Sequence, residues 1–135
     1  MEHLEIFIFN HGHFGEELIK SAEMIVGKID NIHSHSLLPG MSIEEFYELS
    51  EKSLQKYDGK KIVLCDLYGG TPSNVALMLS EKYNLEIICG VNLGMLIDLV
   101  LTSDHSDDLE QICKSAYEAG LKSIIIPEKL KRDVE

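Results

Sequence analysis

Short apolar runs of strand length alternate with helix-length amphipathic segments along this chain, and that alternation decides the fold class. Residues 4–9 read as a strand. Residues 14–26 set Phe14, Leu18, Ala22 and Ile25 on one helical face and stop at Gly27, where a left-handed residue is tolerated. A weaker strand covers residues 32–38 and ends at Pro39-Gly40. Ser42 and Glu45 form a capping box that opens a helix reaching about residue 57. Residues 61–66 are apolar enough for a strand buried on both faces. Thr71-Pro72 reads as an N-cap followed by proline at the first helical position, opening a helix to about residue 82. A fourth strand follows at residues 85–89, then helices at 93–101 and 107–119, the second ended by Gly120. Residues 123–126 read as a last apolar strand halted by Pro127. This pattern predicts an α/β fold with a doubly wound, mainly parallel sheet and right-handed crossovers. Residues 1–127 make one domain and residues 128–135 a tail.

A chain of 135 residues can bury roughly 70% of its unfolded surface, so it needs no disulfide or metal staple. The formal net charge is −11, and the densest basic stretch, residues 129–132, is mixed with acids in the tail. Nucleic-acid binding needs a basic stripe and is not expected. No apolar run approaches ~20 residues, and the N-terminus enters a strand with no basic-then-apolar leader. Cys65, Cys89 and Cys113 form no CxxC pair, which suits reduced thiols in a cytoplasmic protein.

Two glycine-flanked loops follow the first and third strands, at the sheet edge where ligands bind in open parallel sheets. The first reads Asn10-His11-Gly12-His13, and the second Asp66-Leu67-Tyr68-Gly69-Gly70-Thr71-Pro72-Ser73-Asn74. If the two strands are neighbours, an imidazole meets a carboxylate and a helix N-terminus. His11 would be exposed, with one nitrogen nucleophilic and the other held by a hydrogen bond. Asp66 could supply that bond, or be a solvated strand-end residue. Gly69 and Gly70 let the backbone approach a ligand, and the helix start offers unpaired N–H groups to phosphate. Thr71 could add its hydroxyl, or only cap.

Other residues have plainer readings beside the functional one. His13 begins the helix as a surface or capping residue. His33 and His35 share one face of the second strand, and with His11 and His13 they raise a zinc reading that no shared spacing or cysteine pair supports. Cys65 reads as a buried strand thiol rather than a nucleophile. Tyr68 could line the crevice mouth. Asn92 either contacts the site or caps the next helix, and capping is favoured.

Taken together and in this order, the loops resemble the enzyme IIA component of the mannose/sorbose family of the bacterial sugar phosphotransferase system. The resemblance runs from Leu4 to about Ile126. It includes His11-Gly12, the helix end Ala22-Glu23-Met24-Ile25-Val26-Gly27, the Asp66 to Asn74 string, and Gly90-Val91-Asn92-Leu93. It implies a phosphotransferase component in which His11 accepts a phosphoryl group from the phosphocarrier protein HPr and passes it to a histidine of a IIB component. Asp66 matches the partner of the active histidine and Thr71 the hydroxyl residue near the phosphate. Gly12, Gly69, Gly70 and Asn92 fall at the binding loops. The family fold is a mainly parallel doubly wound sheet, and relatives form homodimers that exchange a C-terminal strand. Residues 123–126 would be that antiparallel edge strand. No cofactor or metal is implied, and membrane contact is only through the permease subunits. With 135 residues, no fused IIB domain is expected. Asn10 departs from the small hydroxyl residue usual before the histidine, and Gly94 from the proline common after Asn-Leu. A phosphotransferase partner of dihydroxyacetone kinase shares the fold, but its loops typically read Ser-His-Ser and Gly-Ser-Ala.

A rival reading is a non-catalytic α/β anion-binding or regulatory module that uses the same crevice. A receiver domain would need an acidic cluster after the first strand, where this chain has Asn10-His11. No Walker-type phosphate loop occurs, in keeping with a relay that uses no nucleotide. The transported sugar is not written in the sequence.

Overall fold

The computed structural model describes residues 3–129. Four strands, β1 (Leu4–His11), β2 (Ile32–Leu37), β3 (Lys60–Cys65) and β4 (Leu85–Cys89), form one sheet in the order β2-β1-β3-β4. Every pairing is parallel, with Ile6 opposite Ile32 and Ile62, and Ile62 opposite Glu86. The helices are α1 (Phe14–Val26), α2 (Ile43–Gln55), α3 (Thr71–Ser80), α4 (Leu93–Thr102) and α5 (Leu109–Lys122), with a short 3₁₀ turn at Ser103–His105.

Strand alternation sorts the core into two layers. Ile6 and Ile8 of β1 and Ile62 and Leu64 of β3 face α1, α4 and α5 through Ala22, Leu96, Leu99 and Ile112. Phe7, Phe9, Val63 and Cys65 face α2 and α3 through Phe46, Leu54, Val75 and Leu79. Burial of each large side chain stabilises the fold by about 1.5–3 kcal/mol, and the two central strands bury both faces. The chain goes from β1 out to β2, then crosses to β3 on the other side. The order therefore reverses between β1 and β3, the place where open α/β sheets bind ligands.

Several boundaries differ from expectation for physical reasons. The capping box of α2 is present, with Glu45 N–H donating to Ser42 Oγ at 3.1 Å and Ser42 N–H to Glu45 Oε1 at 3.0 Å. Thr71, by contrast, is not an N-cap. Gly70 takes that place in an extended conformation, so Thr71 and Pro72 are the first two helical residues. Gly120 does not stop α5, which runs two residues further. It is an interior glycine, because a Cβ there would meet Met95 Cε at 2.7 Å. The helix begins at Leu109, capped by Asp108.

The expected edge strand at residues 123–126 is not formed within the chain. Ser123 is the C-cap of α5, and residues 124–129 carry no regular structure. A strand needs a ladder partner, and none of the four described strands pairs with this segment. Of the expected tail, residues 128–135, Glu128 and Lys129 carry no regular structure and residues 130–135 lie outside the described residues.

Candidate functional site

β1 and β3 are neighbours, so their loops meet. Asp66 N–H continues the ladder by donating to the Phe9 carbonyl at 3.3 Å, which sets the carboxylate beside the next residue but one of β1. Asp66 Oδ2 accepts the His11 backbone N–H at 2.8 Å and lies 2.8 Å from His11 Nδ1. The other oxygen, Oδ1, accepts the Leu67 N–H at 2.9 Å. An ionised carboxylate only accepts, so the ring donates from Nδ1 and keeps its lone pair on Nε2. The His11 side chain is 46% exposed and the Asp66 side chain 12%. The orienting bond is sheltered while the reactive edge of the ring is open.

Gly12 has a φ of +58°, the left-handed conformation that turns the chain away immediately after His11. Gly70 packs against the far edge of the ring. A Cβ there would lie 3.0 Å from His11 Cε1 and 3.3 Å from Nε2, so only glycine leaves the nitrogen unobstructed. The preceding Gly69 has a φ of +99°. Ser73 fastens this turn. Its buried hydroxyl accepts the Gly69 N–H at 2.8 Å and donates to the Gly70 carbonyl at 3.0 Å. Asn74 N–H makes the first intrahelical bond, to Gly70. The N–H groups of Gly70, Thr71 and Ser73 thus lack intrahelical acceptors and sit at the positive end of α3, while Pro72 has no N–H. Nothing in local hydropathy singles out Ser73. A serine three residues after the second of two glycines at a helix start is the signal that could have found it.

The remaining candidates are placed elsewhere. Asn92 caps α4 with Oδ1, accepting Met95 N–H at 2.9 Å, and donates from Nδ2 to the Gly120 carbonyl at 3.0 Å. Its amide is engaged at both ends in joining α4 to α5, the capping arrangement favoured from the sequence. Thr71 leads the helix that starts beside the ring and is half-buried. Tyr68 and Leu67 are exposed on the loop at the crevice mouth.

His13 precedes α1 at the surface, 3.5 Å from Glu16. His33 bonds Glu5 at 2.7 Å and stacks on Tyr57. His35 packs against Phe7 and Phe9; burial, then the neighbouring His33 and Lys56, push its pKa down to about 4. Burial, with Cys89 beside it, pushes the Cys65 thiol up, away from the thiolate a nucleophile needs.

The arrangement can do one kind of chemistry well. It offers an exposed imidazole nitrogen of fixed tautomer, a carboxylate to stabilise charge on that ring, and a backbone cradle of N–H groups for anionic oxygens.

A family model described as EIIA-man, PTS system fructose IIA component, matches residues 5–116. The mannose-specific EIIAB component of the phosphotransferase system of Escherichia coli K12 is 32% identical over 124 residues, which is 90% of this chain and 38% of that protein. The chain therefore spans well under half the length of the curated relatives it matches. The crystal structure of a phosphotransferase-system EIIA component from Streptococcus agalactiae superposes with a TM-score of 0.86 at 26% identity, over 92% of this chain and 97% of that one. A mannose/sorbose-specific IIA subunit from Enterococcus faecalis gives a TM-score of 0.87 at 24% identity, over 98% and 99% of the two chains, and bears on the fold alone. On sequence and fold together, the chain belongs to the EIIA-man family of phosphotransferase-system IIA components.

Proposed function

We propose that this protein is a phosphohistidine carrier in sugar uptake, loaded by phospho-HPr on His11 and unloaded onto a histidine of a IIB component. The observation that carries the reading is the pairing of His11 Nδ1 with Asp66, which leaves Nε2 open against Gly70 and the start of α3. The Nε2 lone pair forms a bond to phosphorus as the bond between phosphorus and the donor's imidazole nitrogen breaks. That electron pair stays on the donor ring. Positive charge grows on the His11 ring and is balanced by Asp66. N–H groups of Gly70 and Thr71 and the Thr71 hydroxyl hold the phosphoryl oxygens. Such a transfer rests on positioning and electrostatics rather than on a bound nucleotide. An open site suits it, since both donor and acceptor are side chains of other proteins.

The same reading places the protein in the cytoplasm, in contact with the membrane only through permease subunits; no described helix is long and apolar enough to cross a membrane. It also gives residues 123–126 to a partner subunit in a homodimer.

The test is phosphoryl transfer from phosphoenolpyruvate through purified enzyme I and HPr, read by intact mass and acid lability. One acid-labile phosphoryl group, absent in His11→Ala, is the expected result. No gain with active donors would overturn the relay and leave the crevice as an anion-binding site.

A further inference from the structure

We infer that Asn10 is a positioning residue that fixes the His11 imidazole for phosphoryl transfer, an inference that rests on the carrier reading above. Asn10 is fully buried, at the end of a strand whose other inward residues are apolar. Its Oδ1 accepts the Gly15 N–H at 3.0 Å, and its Nδ2 donates to Ser34 Oγ at 3.1 Å and to the His35 carbonyl at 3.2 Å. A buried amide is held at both ends here, which is the condition for burying it without loss.

The bond to Gly15 has a particular consequence. The residue in the N-cap position of α1, His13, supplies no side-chain cap, and the N–H of the second helical residue is an orphan in any helix start. Asn10 takes that N–H from across the loop. Residues 10–15 are thereby closed into a ring, with His11 next to the closure and the left-handed Gly12 at the turn. The amide also reaches β2 through Ser34 and His35, and Gly12 N–H donates to the Leu37 carbonyl of β2 at 3.0 Å. The chain carrying His11 is thus tied to β2 and to α1, while the ring itself is tied to Asp66, the residue after β3. Release of the Asn10 ties frees the backbone on which the bond between Nδ1 and Asp66 depends.

Gly15 belongs to the same device. A Cβ at that position would lie 2.4 Å from Asn10 Nδ2 and 2.5 Å from Ser34 Oγ. Glycine suits the helix start because the Asn10 amide and the Ser34 hydroxyl fill the space a side chain would need. Alanine at position 15 would push the amide out of its bonds even though both hydrogen-bonding groups are still present.

The experiment reads the His11 ring in the unphosphorylated protein by nitrogen-15 NMR, beside the kinetics of phosphoryl acceptance from phospho-HPr. In the unaltered protein the ring is expected mainly as the tautomer with its proton on Nδ1. Asn10→Ala is expected to mix the tautomers and to lower kcat by about 10- to 100-fold, with a smaller change in KM, as a misplaced reacting group does. Gly15→Ala is expected to do the same. Folded Asn10→Ala with an unchanged ring signature and rate would overturn the inference. Should Asn10→Ala fail to fold, Asn10→Ser alone is judged by the same two readouts. If the unaltered protein accepts no phosphoryl group, the carrier reading fails, while the ring signature still decides whether Asn10 positions His11.

Discussion

A single oxygen of Asp66, Oδ2, receives both the backbone N–H and the ring Nδ1 of His11, each at 2.8 Å. One bond fixes where the residue is and the other fixes which way its ring faces. Asp66→Ala removes both and leaves the tautomer free, so phosphoryl acceptance should fall by roughly 100-fold or more. Asp66→Asn retains an acceptor for one of the two donors but no charge to balance the ring. Its rate should fall between those of the unaltered protein and Asp66→Ala. Rapid-quench phosphorylation with saturating phospho-HPr measures this, and an Asp66→Ala rate within about twofold of the unaltered protein would remove Asp66 from the mechanism.

Gly70 separates two explanations of the glycine pair. Its backbone is extended, so a side chain costs no left-handed strain there; the obstacle is the His11 ring 3.0 Å from the would-be Cβ. Gly70→Ala should therefore leave the melting temperature nearly unchanged while slowing phosphoryl acceptance by about tenfold, because Nε2 must shift by a few tenths of an ångström. Equal rates for the two proteins would mean that Gly70 serves only the turn.

The two loops were legible because each follows a strand-length apolar run and each carries glycine. Their meeting was only conditionally legible, since it depends on β1 lying beside β3, a long-range pairing that no local pattern encodes. Local chemistry also misled where one residue type has two uses. Gly120 has the sequence look of a helix stop, but it is an interior glycine against Met95. Thr71-Pro72 looks like a cap and first turn, yet with two glycines before it the backbone reaches the cap conformation one residue earlier. Asn10 and Ser73 are polar residues whose buried partners lie on other elements or around a turn, so hydropathy alone marked neither as inward-facing.

His35 should make stability depend on pH. It packs against Phe7 and Phe9 of β1, with His33 on its own strand and Lys56 beyond α2 adding to burial in lowering its pKa to about 4 from 6.5. The folded state then binds fewer protons than the unfolded chain between those values. The contribution is complete above about pH 6.5 and is lost as pH falls toward 4, up to about 3 kcal/mol in all. Urea unfolding from pH 7.5 down to 4.5 should show this decline, and His35→Leu should flatten it. His35 Nε2 has no hydrogen-bond partner among the described residues, so the apolar variant leaves no acceptor unpaired. Parallel stability curves for the two proteins would assign the acid sensitivity to other groups.

Ile124, Ile125 and Ile126 are 74%, 70% and 98% exposed, three consecutive β-branched residues that the single chain leaves in water. β4 forms an edge of the sheet, and beside it runs a cleft of about 490 Å³ between that strand and α5, lined by Ile87, Cys89, Cys113 and Tyr117. An unpaired edge invites another strand, and exchange between two copies would satisfy the edge and the isoleucines together. Burying each isoleucine is worth about 1.5–3 kcal/mol, and exchange in both directions buries six of them, about 9–18 kcal/mol before the cost of association, against ~8 kcal/mol for a micromolar dimer. Light scattering should give the mass of two chains for the unaltered protein and of one for Ile125→Asp, which sets a charge in the middle of the ladder. Phosphoryl acceptance by the monomeric variant would then show whether His11 needs the second subunit. A single-chain mass for the unaltered protein at tens of micromolar would end the exchange reading and leave the isoleucines to a different partner.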